Sequence, residues 1–311
     1  MFEPTDALVA PRFTGVRTYA RLPHTMTLEG VDCAVFGMPW DGGTSFRSGP
    51  RFGPESIRSA SALLRPYNPA QSVQVFGKVS TVDRGDSGTV PGYIGETMDR
   101  IEAFVRPIAE AGVIPLGMGG DHSVTLGELR AIAKVHGPVA LVQFDSHTDL
   151  WDQYFGLPYN HGTVMRRAVE EGLIDTARSV QAGMRGPLYG PEDVDVTASF
   201  GIAYLPWRDL VRVEPAAFGD LVRARVGTGP AFISYDIDFL DPSFAPGTGT
   251  PEPGGPTTHQ AFEYLRALTG IDFRGFDVVE VAPQYDGPGQ QTSLIAANVM
   301  YEMLSLLALR M

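Results

Sequence analysis

The chain has 311 residues and carries 24 Lys and Arg against 36 Asp and Glu, a net charge of −12. That balance excludes a nucleic-acid binder, which needs concentrated Lys and Arg, and it suits a cationic small molecule better than an anionic one. With 43% hydrophobic and 19% charged residues, the composition excludes disorder and supplies a core large enough for one large α/β unit.

The first residues, MFEPTDALVAPRF, show no basic-then-apolar signal pattern, and no run of 18 apolar residues occurs anywhere. A cytoplasmic protein without membrane association is expected. Residues 1–30 read as an N-terminal arm and 31–311 as a single domain, with no internal repeat or linker. A first strand is expected at Cys33–Gly37. Its cysteine is the only one present, so no disulfide within the chain and no thiolate metal cluster can form, and a buried structural thiol is the default. A helix over Pro54–Leu64, a strand over Val79–Val82 and a helix over Glu96–Ala111 follow. Next come a strand at Val113–Leu116, a helix at Thr125–His136, a strand at Val139–Phe144 and a helix at Gly162–Glu171. Strands are then expected at Ser179–Ala182 and Ile202–Leu205, a helix at Pro215–Val226 and a strand at Ala231–Tyr235. A helix at Thr258–Leu268, a strand at Gly275–Val281 and a helix at Thr292–Leu309 complete the order. Several strands are apolar and β-branched throughout, as strands buried on both faces are. The alternation predicts an α/β fold with a mostly parallel, doubly wound sheet. Ligands bind such sheets at the carboxyl ends of the strands.

Polar segments collect at those ends. Gly119-Gly120-Asp121-His122-Ser123 follows one strand, Asp145-Ser146-His147-Thr148-Asp149 a second, and Asp236-Ile237-Asp238 closes a third. Asp145, His147 and Asp149 occupy alternate positions, as do Asp236 and Asp238. In extended backbone, alternate side chains share a face, so each set would aim into one cavity. Any one of these motifs alone would be bland: a capping Asp, a turn at Asp241-Pro242, a core histidine at 122. Three of only six histidines gathered with at least five aspartates point instead to divalent metal. Four carboxylates and two imidazoles suit two ions, and a donor set rich in oxygen and lacking sulfur favours Mn²⁺, with Ni²⁺ or Co²⁺ as alternatives.

These segments, together with Gly49–Arg58, Pro-Gly-Thr-Gly-Thr-Pro-Glu-Pro-Gly-Gly at 246–255 and Val-Val-Glu-Val-Ala-Pro at 278–283, resemble the ureohydrolase family of arginases, agmatinases and guanidinobutyrases. The likeness runs from about residue 31 to the C-terminus. It implies a three-layer αβα arginase-like fold around an eight-stranded, mostly parallel sheet. It also implies two Mn²⁺ per subunit, a small guanidino substrate and a homo-oligomer, trimer or hexamer. One ion would be held by His122, Asp145, Asp149 and Asp236, the other by His147, Asp145, Asp236 and Asp238. Asp149 would also move a proton, His161 would shuttle protons to solvent, and Glu280 would grip the guanidinium. Asp121 and Asp241 would be supporting residues. Ser146 departs from the family, which more often has alanine there, and Met118 and Trp40 also fill unexpected positions.

Selectivity lies in the loops that meet the substrate tail. Arginase-type chains carry asparagine two residues after the Asp-x-His-x-Asp motif; here Trp151 stands there. The aromatic segment 150–160 resembles the agmatinase and guanidinobutyrase branch. Trp151, Asn160 and Thr250 are the candidate tail-binding residues, with Thr248 beside them. Agmatine, hydrolysed to putrescine and urea, is the expected substrate; Asp152 or the acidic surface would receive its ammonium. A guanidino acid such as 4-guanidinobutyrate or 3-guanidinopropionate is the alternative, with Arg185 as either its cation or an interface ion pair. Two other classes remain open: a catalytically silent subunit of a hetero-oligomer, and a mononuclear deacetylase-like enzyme on a related fold.

Overall fold

The β-branched, apolar runs behave as strands buried on both sides. Every residue of β1 (Cys33–Gly37), of β6 (Ala140–Phe144) and of β9 (Ala231–Asp236) is buried. The computed structural model describes all 311 residues. In chain order, β1 is followed by α1 (Gly53–Ser61), a short antiparallel hairpin of β2 (Tyr67–Asn68) and β3 (Val73–Gln74), β4 (Thr81–Asp86), α2 (Ile94–Glu110), β5 (Ile114–Met118) and α3 (Thr125–His136). Then come β6, α4 (Val164–Glu170), β7 (Val180–Ala182), α5 (Glu192–Ser199), β8 (Ala203–Leu205), α6 (Trp207–Leu210) and α7 (Pro215–Val226). The chain closes with β9, α8 (Thr258–Arg266), β10 (Phe273–Val279) and α9 (Gln291–Arg310).

Eight strands form one sheet in the order β4-β1-β5-β10-β9-β6-β7-β8, and every neighbouring pair is parallel. Strand alternation sorts side chains into two cores. Cys33 and Val35 join Ala140, Val142 and Phe144 in one, which α1, α7, α8 and α9 cover. Ala34 and Phe36 join Leu141 in the other, under α2, α3 and α4. The result is the expected three-layer αβα architecture. Burial pushes the Cys33 thiol well above its usual range, so it stays protonated and inert.

All eight sheet strands and seven principal helices stand where hydrophobic pattern places them, within a few residues. The hairpin and α6 were not expected, because each is too short to show a period of its own, and α5 was not, because it buries only Thr197 and has no apolar face. The helix anticipated from Gly162 begins as a single tight turn, His161–Thr163, before α4. Residues before β1 lie along the edge strand β4: the Thr81 amide donates to the Phe2 carbonyl, and His24 bridges Asp83. This blunts one exposed sheet edge. Helix α9 is long and apolar enough to cross a membrane by composition, but 78% of its most apolar window is buried against the sheet.

The sheet order has one consequence for function. The segments following β5, β6, β9 and β10 belong to four adjacent central strands, so their carboxyl ends open on one rim. Behind that rim Phe144 is fully buried, with ring centroids of Tyr235 and Phe239 at 5.4 and 5.2 Å. Replacing Phe144 by Ala is expected to cost about 3–5 kcal/mol; urea denaturation followed by circular dichroism will show an earlier midpoint.

Candidate metal centre and active site

At or just beyond the end of three of the four central strands, an aspartate turns back on the chain. Asp121 accepts the Ser123 amide at 3.0 Å, Asp145 the His147 amide at 2.6 Å, and Asp236 the Asp238 amide at 2.8 Å. Asp121 and Asp236 thereby cap short helical turns, His122–Val124 and Ile237–Phe239. This corrects the expectation that strand alternation aims these side chains. Past Phe144 and Asp236 the backbone is no longer extended, and the side chains converge because each aspartate pins a tight turn. Asp149 goes further, with φ of 54° in the left-handed region that non-glycine residues avoid. The turns also need close backbone approach: a Cβ added to Gly120 would lie 1.6 Å from the Trp40 carbonyl oxygen.

Five of the six expected ligands come together in two groups that share Asp145, and Asp236 lies beside the first of them, against His122. His122 Nδ1 lies 3.1, 2.8 and 3.3 Å from carboxylate oxygens of Asp145, Asp149 and Asp236. His147 Nδ1 lies 3.5 Å from Asp145 and 3.1 Å from Asp238. Candidate donor atoms of His122, Asp145 and Asp149, and of Asp145, His147 and Asp238, fall within 4.8 Å of one another. His122 Nδ1 and Asp238 Oδ2 are buried without a hydrogen-bond partner. Buried polar atoms left without a hydrogen bond, one in each group, are what the donors of a cation look like.

The electrostatics agree. Burial, then Asp145, raises the Asp149 carboxyl; burial, then Asp238 and Asp145, raises Asp236 well above its ordinary range. Burial opposes charge on Asp145 too, but His122 and His147 hold its carboxyl low. Negative charge thus exceeds what the imidazoles neutralise, and divalent cations fit the oxygen-rich donor set. Ser146, the residue that departs from the family, has a contact of its own: its hydroxyl donates to Asp238 Oδ1 at 2.7 Å, leaving Oδ2 free.

Glu280 stands beside these groups, just past β10. Its φ of 64° is also left-handed, a backbone cost of about 1–3 kcal/mol that surrounding contacts must offset. Glu280 Oε1 accepts the His122 amide at 2.8 Å and faces His161 Nδ1 at 2.9 Å, while Oε2 is buried and unpartnered. On its other side His161 Nε2 accepts the Ser45 amide at 3.0 Å, so Nδ1 carries the proton donated to Glu280. Burial works against charge on His161, yet Glu280, with Asp121 and Asp149, keeps its pKa above the ordinary histidine value. Asp121 is itself pushed up to about 7, by burial first and Glu280 second, and it ties the Gly43 amide to this wall at 2.6 Å.

A cavity of about 520 Å³ opens over His147, Asp149, His161 and Asp236, with Trp151 and Thr250 in its walls. Asn160 is not among the lining residues. Its side-chain oxygen accepts the Gly162 amide in a capping box with Thr163, so the expected substrate contact is replaced by a role in starting the turn that presents His161. Thr248 is fully buried, and Asp241 binds the Gly254 and Gly255 amides to shape the loop before α8. Asp152 pairs with Arg167. Arg185 is not free to act as a tail cation: it donates to carbonyls of Asp238, Phe239, Leu240 and Glu252, clamping two loops together.

Sequence reasoning overlooked Ser45, Phe46 and Arg47, Pro187–Tyr189 and Glu252, all of which line the cavity, while Tyr154 belongs to the aromatic segment 150–160 singled out there. The strand-end rule applied to β1 and β7 would have drawn attention to 45–47 and 187–189, since both segments leave the same rim.

The arginase family matches residues 31–305. A guanidinopropionase of Pseudomonas aeruginosa is 43% identical over 307 residues, covering 98% of this chain and 96% of its own. A mitochondrial agmatinase of Gallus gallus is 42% identical over 304 residues, covering 98% and 89%. Among solved structures, proclavaminate amidinohydrolase of Streptomyces clavuligerus superposes with a TM-score of 0.92 at 38% identity, covering 97% of this chain and 100% of that one. Sheet order, site geometry and these matches agree, and the chain belongs to the arginase family of ureohydrolases.

Proposed function

We propose that this chain hydrolyses agmatine to putrescine and urea, with two Mn²⁺ per subunit held by His122, Asp145, Asp149 and Asp236 and by His147, Asp145, Asp236 and Asp238. Ni²⁺ and Co²⁺ fit the same donors. The observation that carries the reaction class is that two ligand groups sharing Asp145 contribute Asp149 and His147 to one cavity, in whose wall stands His161, held by Glu280. A bound pair of divalent cations supplies Lewis acidity and lowers the pKa of a water, so that a nucleophile exists at neutral pH.

The chain's own residues do the rest. Glu280 Oε2 accepts a guanidinium N–H and orients the planar group, which stays cationic because guanidinium does not deprotonate readily. His161 holds the other Glu280 oxygen. When water adds to the guanidinium carbon, Asp149 takes its proton and passes it to the departing nitrogen. The C–N bond breaks, and urea and a primary amine leave. His161, next to Ser45 on the cavity wall, exchanges protons with solvent.

The tail reading rests on the mouth. Phe46, Trp151, Tyr154 and Tyr189 form an aromatic wall, and the Glu252 carboxylate there has no Arg or Lys partner. Rings and a carboxylate whose one charged neighbour is His147, at 4.0 Å, suit an ammonium. A second reading, a guanidino acid, is favoured by Arg47, which lines the same cavity without a carboxylate partner and stacks on Phe46 and Tyr285.

The reaction class is checked by urea release from Mn²⁺-loaded protein with agmatine, 4-guanidinobutyrate, 3-guanidinopropionate and arginine, with bound metal counted in the same sample. Urea from agmatine and two ions per chain are expected; a chain binding no metal would instead be a silent subunit. Asp149→Asn is expected to lower kcat by roughly 10²–10⁴-fold, and a variant keeping both ions and the native rate would remove Asp149 from proton transfer. Glu252→Gln is expected to raise KM for agmatine about tenfold or more, the loss of one charged contact. If Arg47→Gln instead raises KM for a guanidino acid that the native enzyme prefers, the second reading stands.

A further inference from the structure

His122 has two ring nitrogens with different surroundings. Nδ1 faces Asp145, Asp149 and Asp236, while Nε2 lies 2.8 Å from Ser234 Oγ on β9. Ser234 Oγ in turn lies 2.8 Å from Asp277 Oδ1 on β10, and the two residues are register partners across the strands. The second oxygen of Asp277 accepts the Thr125 hydroxyl at 2.6 Å, from the first turn of α3. Ser234, Asp277 and Thr125 have no exposure at all.

The donor count along this chain leaves one arrangement. A hydroxyl has a single proton, and an ionised carboxylate only accepts. Ser234 therefore donates to Asp277 and accepts from His122 Nε2–H. Glu128, one turn further along α3, is buried with both oxygens unpartnered, and burial, then Asp277, keeps its carboxyl above the usual range. Burial raises the Asp277 carboxyl as well, but His122 and the Thr125 and Ser234 hydroxyls work against it, so of these two neighbouring acids Asp277 is the one suited to carry charge.

We infer that Asp277, acting through Ser234, is a positioning residue that locks His122 in the Nε2–H tautomer and keeps the Nδ1 lone pair turned toward the candidate metal centre. The inference rests on His122 being a metal ligand. A ring nitrogen opposite the metal is commonly held in this way by a carboxylate, usually in direct contact. Here a serine is interposed, because Asp277 sits on the next strand and its reach to the imidazole is completed by its register partner. Gly117 makes room behind it: a Cβ there would lie 3.3 Å from Asp277 Cβ and 2.8 Å from Glu128 Oε2.

The test is Mn²⁺ titration of the metal-free full-length protein against a competing chelator, for the native chain, Ser234→Ala, Asp277→Asn and the double variant, with the thermal midpoint of each metal-free protein recorded alongside. The native chain is expected to bind two ions; binding none would overturn the functional reading and this inference together. Each single variant is expected to weaken one of the two ions by about 10–100-fold and to leave the other within about threefold. The double variant should be no weaker than the weaker single one, because Asp277 acts only through Ser234. Two native ions in Asp277→Asn, or losses that multiply in the double variant, would overturn the relay while leaving the metal centre intact. Should Asp277→Asn fail to fold, Ser234→Ala, which removes one hydroxyl, carries the same expectation, and native affinity there is equally decisive against it.

Discussion

Six carboxylates, those of Asp121, Asp145, Asp149, Asp236, Asp238 and Glu280, are buried around three histidines at one rim of the sheet. Removing that much charge from water is costly unless each group is paired, hydrogen-bonded or bound to a cation. Much else in the molecule follows from this constraint. Asp121 meets backbone amides and a serine hydroxyl, and Arg185 is spent on carbonyls of the loops that carry Asp238 and Glu252. What these contacts leave over are the unpartnered atoms of His122, Asp238 and Glu280, for which cations and a guanidinium are the fitting partners.

The site is built by repetition of one small device. After β5, β6 and β9 an aspartate accepts the amide two residues ahead, ending the strand and turning the next side chains inward. A buried parallel strand has no spare donors within the ladder, so its end is where a side chain can take over the backbone's hydrogen bonding. Asp149 and Glu280, both at positive φ, complete the geometry at a cost in strain. Strain concentrated where side chains must converge is characteristic of preorganised sites.

Chemistry and selectivity are held by different parts of the structure. The candidate ligands and Glu280 sit on the central strands, backed by a dense aromatic core at Phe144, Tyr235 and Phe239. The cavity mouth is made by loops after β1, β6, β7 and β9, which bring Phe46, Arg47, Trp151, Tyr189 and Glu252 together. Loops tolerate change more readily than buried strands. That fits relatives of nearly equal identity bearing names that imply different tails.

The eight strands and seven main helices were legible in the sequence because buried parallel strands and amphipathic helices each have a period, and period needs no knowledge of neighbours. The ligand-type residues were legible as well, since His and Asp at strand ends are rare enough to stand out. β2, β3 and α6 were not legible, being too short to repeat a period, and α5 was not, because it buries only Thr197 and so has no apolar face. The direction in which side chains point past the strand ends was also hidden, because it depends on turns rather than on alternation. Asn160 looked like a substrate contact and is a cap; Arg185 looked like a tail cation and is a clamp. Nor does sequence reveal that Ser234 and Asp277, 43 residues apart, stand side by side behind His122. Hydrophobic pattern and residue type alone determine the elements and the kind of chemistry, because both are local properties. Which polar groups are consumed by partners and which are left free for metal and substrate is decided only when β5, β10, β9 and β6 lie side by side, since hydrogen-bond satisfaction is a property of the packed chain.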